Sequence, residues 1–343
     1  MHREPHTAWK SGAADAVGVL GATSFVGQSV LERLRTISQP GARPTVTDRP
    51  TVTDRPTVTD RTTVADRPVV AFSRSSLAVA AGNAAGGVRW CQLPGGPGTP
   101  TAPLPPTPIP EWIAVCPLWT VSAHLPFLAA AGARRLVAVS STSLFTKSRS
   151  VSTAERTLAA RLAAAEEEVF NQSRAHTIAA TILRPTMIYD GINDRNVMAI
   201  AGFIRRCGFF PVAGAAEGLR QPVHADDVAA AAVASLAHDG LATTYEISGG
   251  ETLSYREIVR RIFRWLDRPS RLVTVPLPLI RAAGPLVGLL PGLGRLPAMA
   301  ARMNEDLVFD HGAATRDFGF QPRSFTLPLR TDSNHAEGTP HTP

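Results

Sequence analysis

Gly21 and Gly27 enclose Ala22-Thr23-Ser24-Phe25-Val26, the stretch with the plainest chemistry in the chain. The apolar run Val17-Gly18-Val19-Leu20 precedes it, as a buried strand would. Gln28 to Leu34 follows, with Val30, Leu31 and Leu34 at helical spacing. Strand, glycine-rich turn and helix form the context in which a dinucleotide pyrophosphate is held. Gly21 permits the tight turn, and Gly27 lets the helix lie close on the strand. The N–H groups of Thr23, Ser24, Phe25 and Val26, at the positive end of the helix dipole, would face the phosphates. Ser24 stands where the usual fingerprint has its middle glycine. It brings a backbone and a hydroxyl donor, but its Cβ crowds the approach.

Distance places a second residue. The group that reads the adenosine ribose is expected about 20 residues past the last glycine, at the end of the second strand. The next strand, Pro68-Val69-Val70-Ala71-Phe72, closes at Ser73-Arg74, 47 positions beyond Gly27. Between them lies Arg-Pro-Thr-Val-Thr-Asp at 43–48, 49–54 and 55–60, with the degenerate copy Arg-Thr-Thr-Val-Ala-Asp at 61–66. Without these 24 residues the spacing is 23, close to expectation. Recurrent proline and alternating charge leave the repeats no core-forming face. They read as a disordered surface insertion at the sheet edge away from the nucleotide, rather than as a binding arm. At the strand end stands Arg74, not an acid. A guanidinium pairs with a 2′-phosphate, so NADP(H) is favoured over NAD(H). The alternative is a solvated surface charge.

The elements that would position these residues alternate. Val88–Leu93, Glu111–Cys116, Arg135–Val139 and Thr177–Leu183 read as strands, Val121–Ala131 and Ala154–Phe170 as helices. Such alternation implies an α/β fold, a Rossmann-type doubly wound parallel sheet. Residues 16–190 form the expected nucleotide domain. Residues 191–330 return to the sheet at about 219–250 and build a smaller C-terminal α/β lobe for substrate. Residues 1–15 and 331–343 read as a disordered leader and tail. The leader has no apolar core, so it is not a signal peptide.

Composition narrows the class. The chain has 343 residues, 44% hydrophobic and 18% charged, as globular proteins do. Its net charge of +7 comes from scattered arginines, with lysine only at Lys10 and Lys147. That pattern suggests small anionic ligands and no nucleic-acid partner. Cys91, Cys116 and Cys207 are widely spaced and odd in number, which suggests neither a disulfide framework nor a metal site and fits a reducing cytoplasm. The apolar stretch Pro276–Leu293 is cut by Pro278, Arg281, Pro285 and Pro291, so it reads as an amphipathic or buried helix and not a transmembrane span.

Four landmarks in order carry a resemblance: Gly21-Ala-Thr-Ser-Phe-Val-Gly27, Val137-Ala-Val-Ser-Ser-Thr142, Leu183-Arg-Pro-Thr-Met-Ile-Tyr189 and Arg220-Gln-Pro-Val-His-Ala-Asp-Asp-Val228. Tyr245 to Ser254 and Asp317 to Phe325 add to it. The chain resembles the extended or atypical short-chain dehydrogenase/reductases, the nucleoside-diphosphate-sugar epimerase/dehydratase-like proteins. The resemblance implies that Ser140 and Ser141 lie beside the nicotinamide, that Pro185 lines its pocket, and that Thr142 bonds a substrate carbonyl. Thr142 capping the strand end is the plainer alternative.

One departure stands out. The superfamily's acid/base is a tyrosine with a lysine four residues later. Tyr189, Tyr245 and Tyr255 are followed at that distance by Asn193, Gly249 and Val259. The helix Glu155–Glu168, which matches by its acidic end, offers neither residue. Lys147, Tyr189 and His224 are the substitutes at hand. For Lys147 the competing reading is a solvated loop cation. For His224 it is a structural bond at a helix entry capped by Asp226 or Asp227. Arg195, Arg205, Arg206 and Arg220 could meet an anionic substrate. The expected function is an atypical NAD(P)-dependent oxidoreductase or epimerase/dehydratase-like enzyme; the alternative is a non-catalytic NADP(H)-binding redox sensor or scaffold.

Overall fold

A computed structural model describes residues 16–37, 67–85, 88–93, 104–238, 244–280 and 300–328. The repeats at 43–66, the leader, the tail and most of the Pro276–Leu293 stretch lie outside the described residues; 277–280 are helical.

The chain opens with β1 (Val17–Leu20), α1 (Phe25–Ile37), β2 (Val69–Ser73), α2 (Ser76–Ala85) and β3 (Arg89–Gln92). Then come β4 (Glu111–Ala114), α3 (Leu118–Ala130), β5 (Arg135–Val139), α4 (Ser143–Thr146), α5 (Thr153–Ala175) and β6 (Ala179–Pro185). Further on lie α7 (Ala225–Leu236) and β11 (Thr244–Ile247). Seven strands form one sheet in the order β11-β6-β5-β4-β1-β2-β3, with every neighbour parallel. α2 was not foreseen, because its Ala-rich sequence carries no apolar stripe against a polar face.

Period-two alternation sends the side chains of β1 to both faces of the sheet. Val17 and Val19 join Val30, Leu31 and Leu34 of α1 and the alanine-rich side of α7. Leu20 joins Phe72, Trp112 and Leu136 against α3 and α5. Helices on both faces make the doubly wound fold expected from the sequence. Burying a Val or Leu side chain contributes about 1.5–3 kcal/mol, so these two layers dominate its stability.

A third core belongs to the C-terminal lobe. It joins α6 (Val197–Cys207), β8 (Phe210–Ala213), α8 (Tyr255–Trp265) and β13 (Leu272–Val275), with Ile200, Ile204, Ile258, Ile262 and Phe263 at its centre. Three two-stranded ladders lie outside the main sheet. β7 (Ile188–Tyr189) pairs with β10 (Val223–His224), β9 (Leu219–Arg220) with β12 (Leu253–Ser254), and β8 with β13. A last helix, α9 (Gly312–Phe318), packs against α7 and β11.

Candidate nucleotide and active site

Strand order reverses beside β1, whose neighbours are β2 and β4. Ligands of open α/β sheets bind at such a switch point, beyond the strands' carboxyl ends. There the chain turns through Gly21 at φ 77°, and a Cβ on Gly21 would come within 2.8 Å of the Cys116 nitrogen. A Cβ on Gly27 would collide with the Gly21 carbonyl oxygen. Ser24 closes the turn. Its hydroxyl donates to the Gly21 carbonyl (2.8 Å) and accepts from the Gly27 N–H (3.0 Å), and its own N–H also bonds Gly21 (3.0 Å). The hydroxyl expected to meet a phosphate is therefore committed to capping α1. No hydrogen bond among the described residues takes the N–H of Phe25 or Val26. Those two donors, at the start of α1, remain for an anion.

Arg74 follows β2 directly and is exposed. Its charge reaches the Cys116 thiol just beyond β4, beside the Gly21 turn. Burial pushes that thiol up to about 11 despite the cation.

The ends of β5 and β6 are locked together. Ser140 donates to Glu166 of α5 (2.5 Å), and Arg184 of β6 grips the same buried carboxylate through Nε (3.1 Å to both oxygens) and Nη2 (2.5 Å). Arg184 also reaches Glu246 of β11 (3.4 Å) and lies over the Phe145 ring (5.1 Å). Ser141 accepts from the Ser143 N–H (3.1 Å). Thr142 is buried and bonds the Pro185 carbonyl through both its N–H (3.0 Å) and its hydroxyl (3.2 Å). Glu166 could not be foreseen as the hub, because a glutamate in an Ala-Glu-Glu-Glu run reads as solvated.

Lys147 ends α4. Burial opposes ionisation of nearby Glu155, but bonds from Ser150 and Arg302 and the charges of Arg302 and Lys147 hold its carboxyl below the ordinary range. Lys147 is thus part of a charged cluster at the entry of α5.

Tyr189 is fully buried, with its ring against Phe325 (4.7 Å between centroids) and His224 (5.1 Å). Its hydroxyl accepts from the Thr326 N–H (3.1 Å). In this arrangement it is a packing residue, inaccessible to a substrate. His224, rather than Asp226 or Asp227, caps α7: its Nδ1 accepts from the Asp226 N–H (3.2 Å). Burial first, then the Arg323 charge, lowers its pKa from the ordinary 6.5, so it is neutral at pH 7. Asp226 instead accepts from Ser29 of α1 (2.7 Å), and Asp227 holds Arg323 (2.9 Å). Arg220 is also turned inward. It donates to the carbonyls of Leu219 (2.7 Å), Glu305 (2.6 Å) and Arg302, which withholds it from a ligand. Arg205 lies over Trp265 on the lobe. A cavity of about 460 Å³ lined by Ser173, Ile178 and Thr244 sits at the amino ends of β6 and β11, opposite the nucleotide turn.

No family model matches the chain. A curated relative, NADH dehydrogenase [ubiquinone] 1 alpha subcomplex subunit 9, mitochondrial, from Arabidopsis thaliana, is 38% identical over 136 residues, 39% of this chain. The chain spans about a third of the length of the curated relatives it matches, 32% and 36%. Among solved structures, a dTDP-glucose 4,6-dehydratase from Streptomyces venezuelae with NAD bound superposes with a TM-score of 0.59 at 15% identity, covering 90% of this chain and 92% of that one. An NADPH-dependent quinone oxidoreductase from Escherichia coli gives 0.55 at 18% identity, covering 90% and 96%. The chain shares the α/β Rossmann-type fold of these structures. Within that fold α5 offers no tyrosine or lysine, and its buried Glu166 serves the Ser140–Arg184 lock. No described helix is long and apolar enough to cross a membrane.

Proposed function

We propose that the chain binds NADP(H) on the Gly21–Gly27 turn, with Phe25 and Val26 donating to the pyrophosphate and Arg74 pairing the 2′-phosphate. The observation that supports this is the turn itself: a positive φ at Gly21, no room for a Cβ at Gly27, and two helix-start N–H groups unused among the described residues. The residues present therefore suit the dinucleotide. Ser140, Ser141 and Pro185 border the nicotinamide end. When bound, the nicotinamide supplies or accepts hydride. On this chain's side, Thr142 steadies the loop and Lys147 offers a cation to a substrate carbonyl. The reaction class is that of an atypical oxidoreductase or epimerase/dehydratase-like enzyme acting on a carbonyl or sugar-nucleotide-like small molecule. Neutral His224 can give only a hydrogen bond, and Tyr189 is sealed.

One observation favours a second reading, a non-catalytic NADP(H)-binding sensor or scaffold. The hydroxyl of Thr142 is spent on Pro185, and no Tyr-x-x-x-Lys pair exists. Fluorescence titration with NADPH and NADH, followed by a panel of carbonyl, quinone and sugar-nucleotide substrates, separates the readings. Failure to bind either nucleotide sinks both. Binding without turnover selects the sensor.

A further inference from the structure

Beyond the end of α6 the C-terminal lobe presents a face of aromatic and cationic side chains. Phe203 and Phe209 meet edge to face (5.8 Å) yet stay 37% and 38% exposed. Arg205 and Arg206 occupy the last turn of α6, both exposed. Arg268, beyond α8, donates Nη1 to the carbonyls of Ile204 (3.2 Å) and Arg205 (3.1 Å), so cations from two segments converge on one helix end. The carbonyl of Arg271 accepts from the Phe210 N–H (2.9 Å), which adds another exposed arginine beside them. Val273, paired in register with Pro211, continues the face and is 47% exposed. Across 197–214 and 262–275 the only acid is Asp267, against Arg205, Arg206, Arg264, Arg268 and Arg271.

We infer that this face docks on an anionic membrane surface. Exposed phenylalanines have no use for phosphate alone, but they can enter the boundary between headgroups and acyl chains while arginines pair the headgroup charges. Attachment is peripheral and independent of how the nucleotide site is used.

The test is co-sedimentation of the full chain with vesicles of phosphatidylcholine alone and of phosphatidylcholine with phosphatidylglycerol. Binding is expected only to the anionic vesicles and weakens with salt. Arg205→Gln/Arg206→Gln should lower the partition coefficient about tenfold or more, since each surface arginine contributes about 1 kcal/mol. Phe203→Ser/Phe209→Ser should weaken binding severalfold at unchanged net charge. Thermal unfolding of both variants shows that they fold, and the arginine pair keeps the test alive if the phenylalanine pair does not. Equal binding to neutral vesicles overturns the proposal, as does no binding at all. Indifference to the phenylalanines, with equal retention on a nucleic-acid homopolymer, overturns it in favour of a polyanion site.

Discussion

Arg74 carries the choice between the two nicotinamide dinucleotides. A charge-assisted hydrogen bond contributes about 1.5–3 kcal/mol. Arg74→Asp should therefore weaken NADPH about tenfold or more while leaving NADH nearly unchanged; equal losses in a fluorescence titration would refute the 2′-phosphate contact. Ser24 makes the opposite point. Its hydroxyl serves the turn and cap, so Ser24→Ala should cost about 1 kcal/mol of stability by denaturant unfolding. At saturation NADPH should still bind. His224 gives the pH argument. Its pKa is lowered in the fold, so the unfolded chain takes up the proton first. The stability it contributes is full above the ordinary 6.5 and is lost as pH falls through the lowered value. His224→Asn should flatten the decline of Tm as pH falls from 6.5 to the lowered value; an unchanged slope would refute the assignment.

At the scale of elements, the ends of β5 and β6 are locked to α5. Ser140, Glu166 and Arg184 tie the three together beside the expected nicotinamide. Breaking a buried ion pair costs about 3–5 kcal/mol. Glu166→Ala should fall near the low end, because Arg184 keeps Glu246. Differential scanning calorimetry gives the stability loss. A loosened Ser140–Thr142 loop should also weaken nucleotide binding, whereas undisturbed affinity would reduce the lock to a purely structural role.

For the whole molecule, residues 320–328 act as a strap that joins the lobe to the sheet. Arg323 bonds Asp227, the Phe325 N–H bonds Glu251, the Thr326 N–H bonds Tyr189, and the Pro328 carbonyl accepts from Trp265. Phe325→Ala should cost about 3–5 kcal/mol. It should also open Tyr189 to solvent, detectable as increased collisional quenching of tyrosine fluorescence. A Tm within a degree or so of the parent would mean that the strap is dispensable.

Much of the fold was legible in the residues, because its signals are local. Gly21 and Gly27 announce a turn, continuous apolar runs announce buried strands, and the strand read at 68–72 is β2 (Val69–Ser73), at the repeat-corrected spacing from Gly27. Boundaries shifted by a few residues: α3 begins at Leu118 and α5 runs on to Ala175. The short ladders of the lobe were missed, since strands of two to four residues carry little periodicity.

The site was less legible. The sequence by itself determined the strand–turn–helix unit, the arginine after β2 and the missing Tyr-x-x-x-Lys pair, because each depends on neighbours in the chain. Only the tertiary structure decided that Ser24 closes its own turn, that Tyr189 lies behind a strap more than a hundred residues away in sequence, that Arg220 is turned inward, and that Glu166 is a buried hub. Whether a polar group faces ligand, solvent or backbone depends on which distant groups satisfy it on burial. Spacing along the chain does not encode those partners.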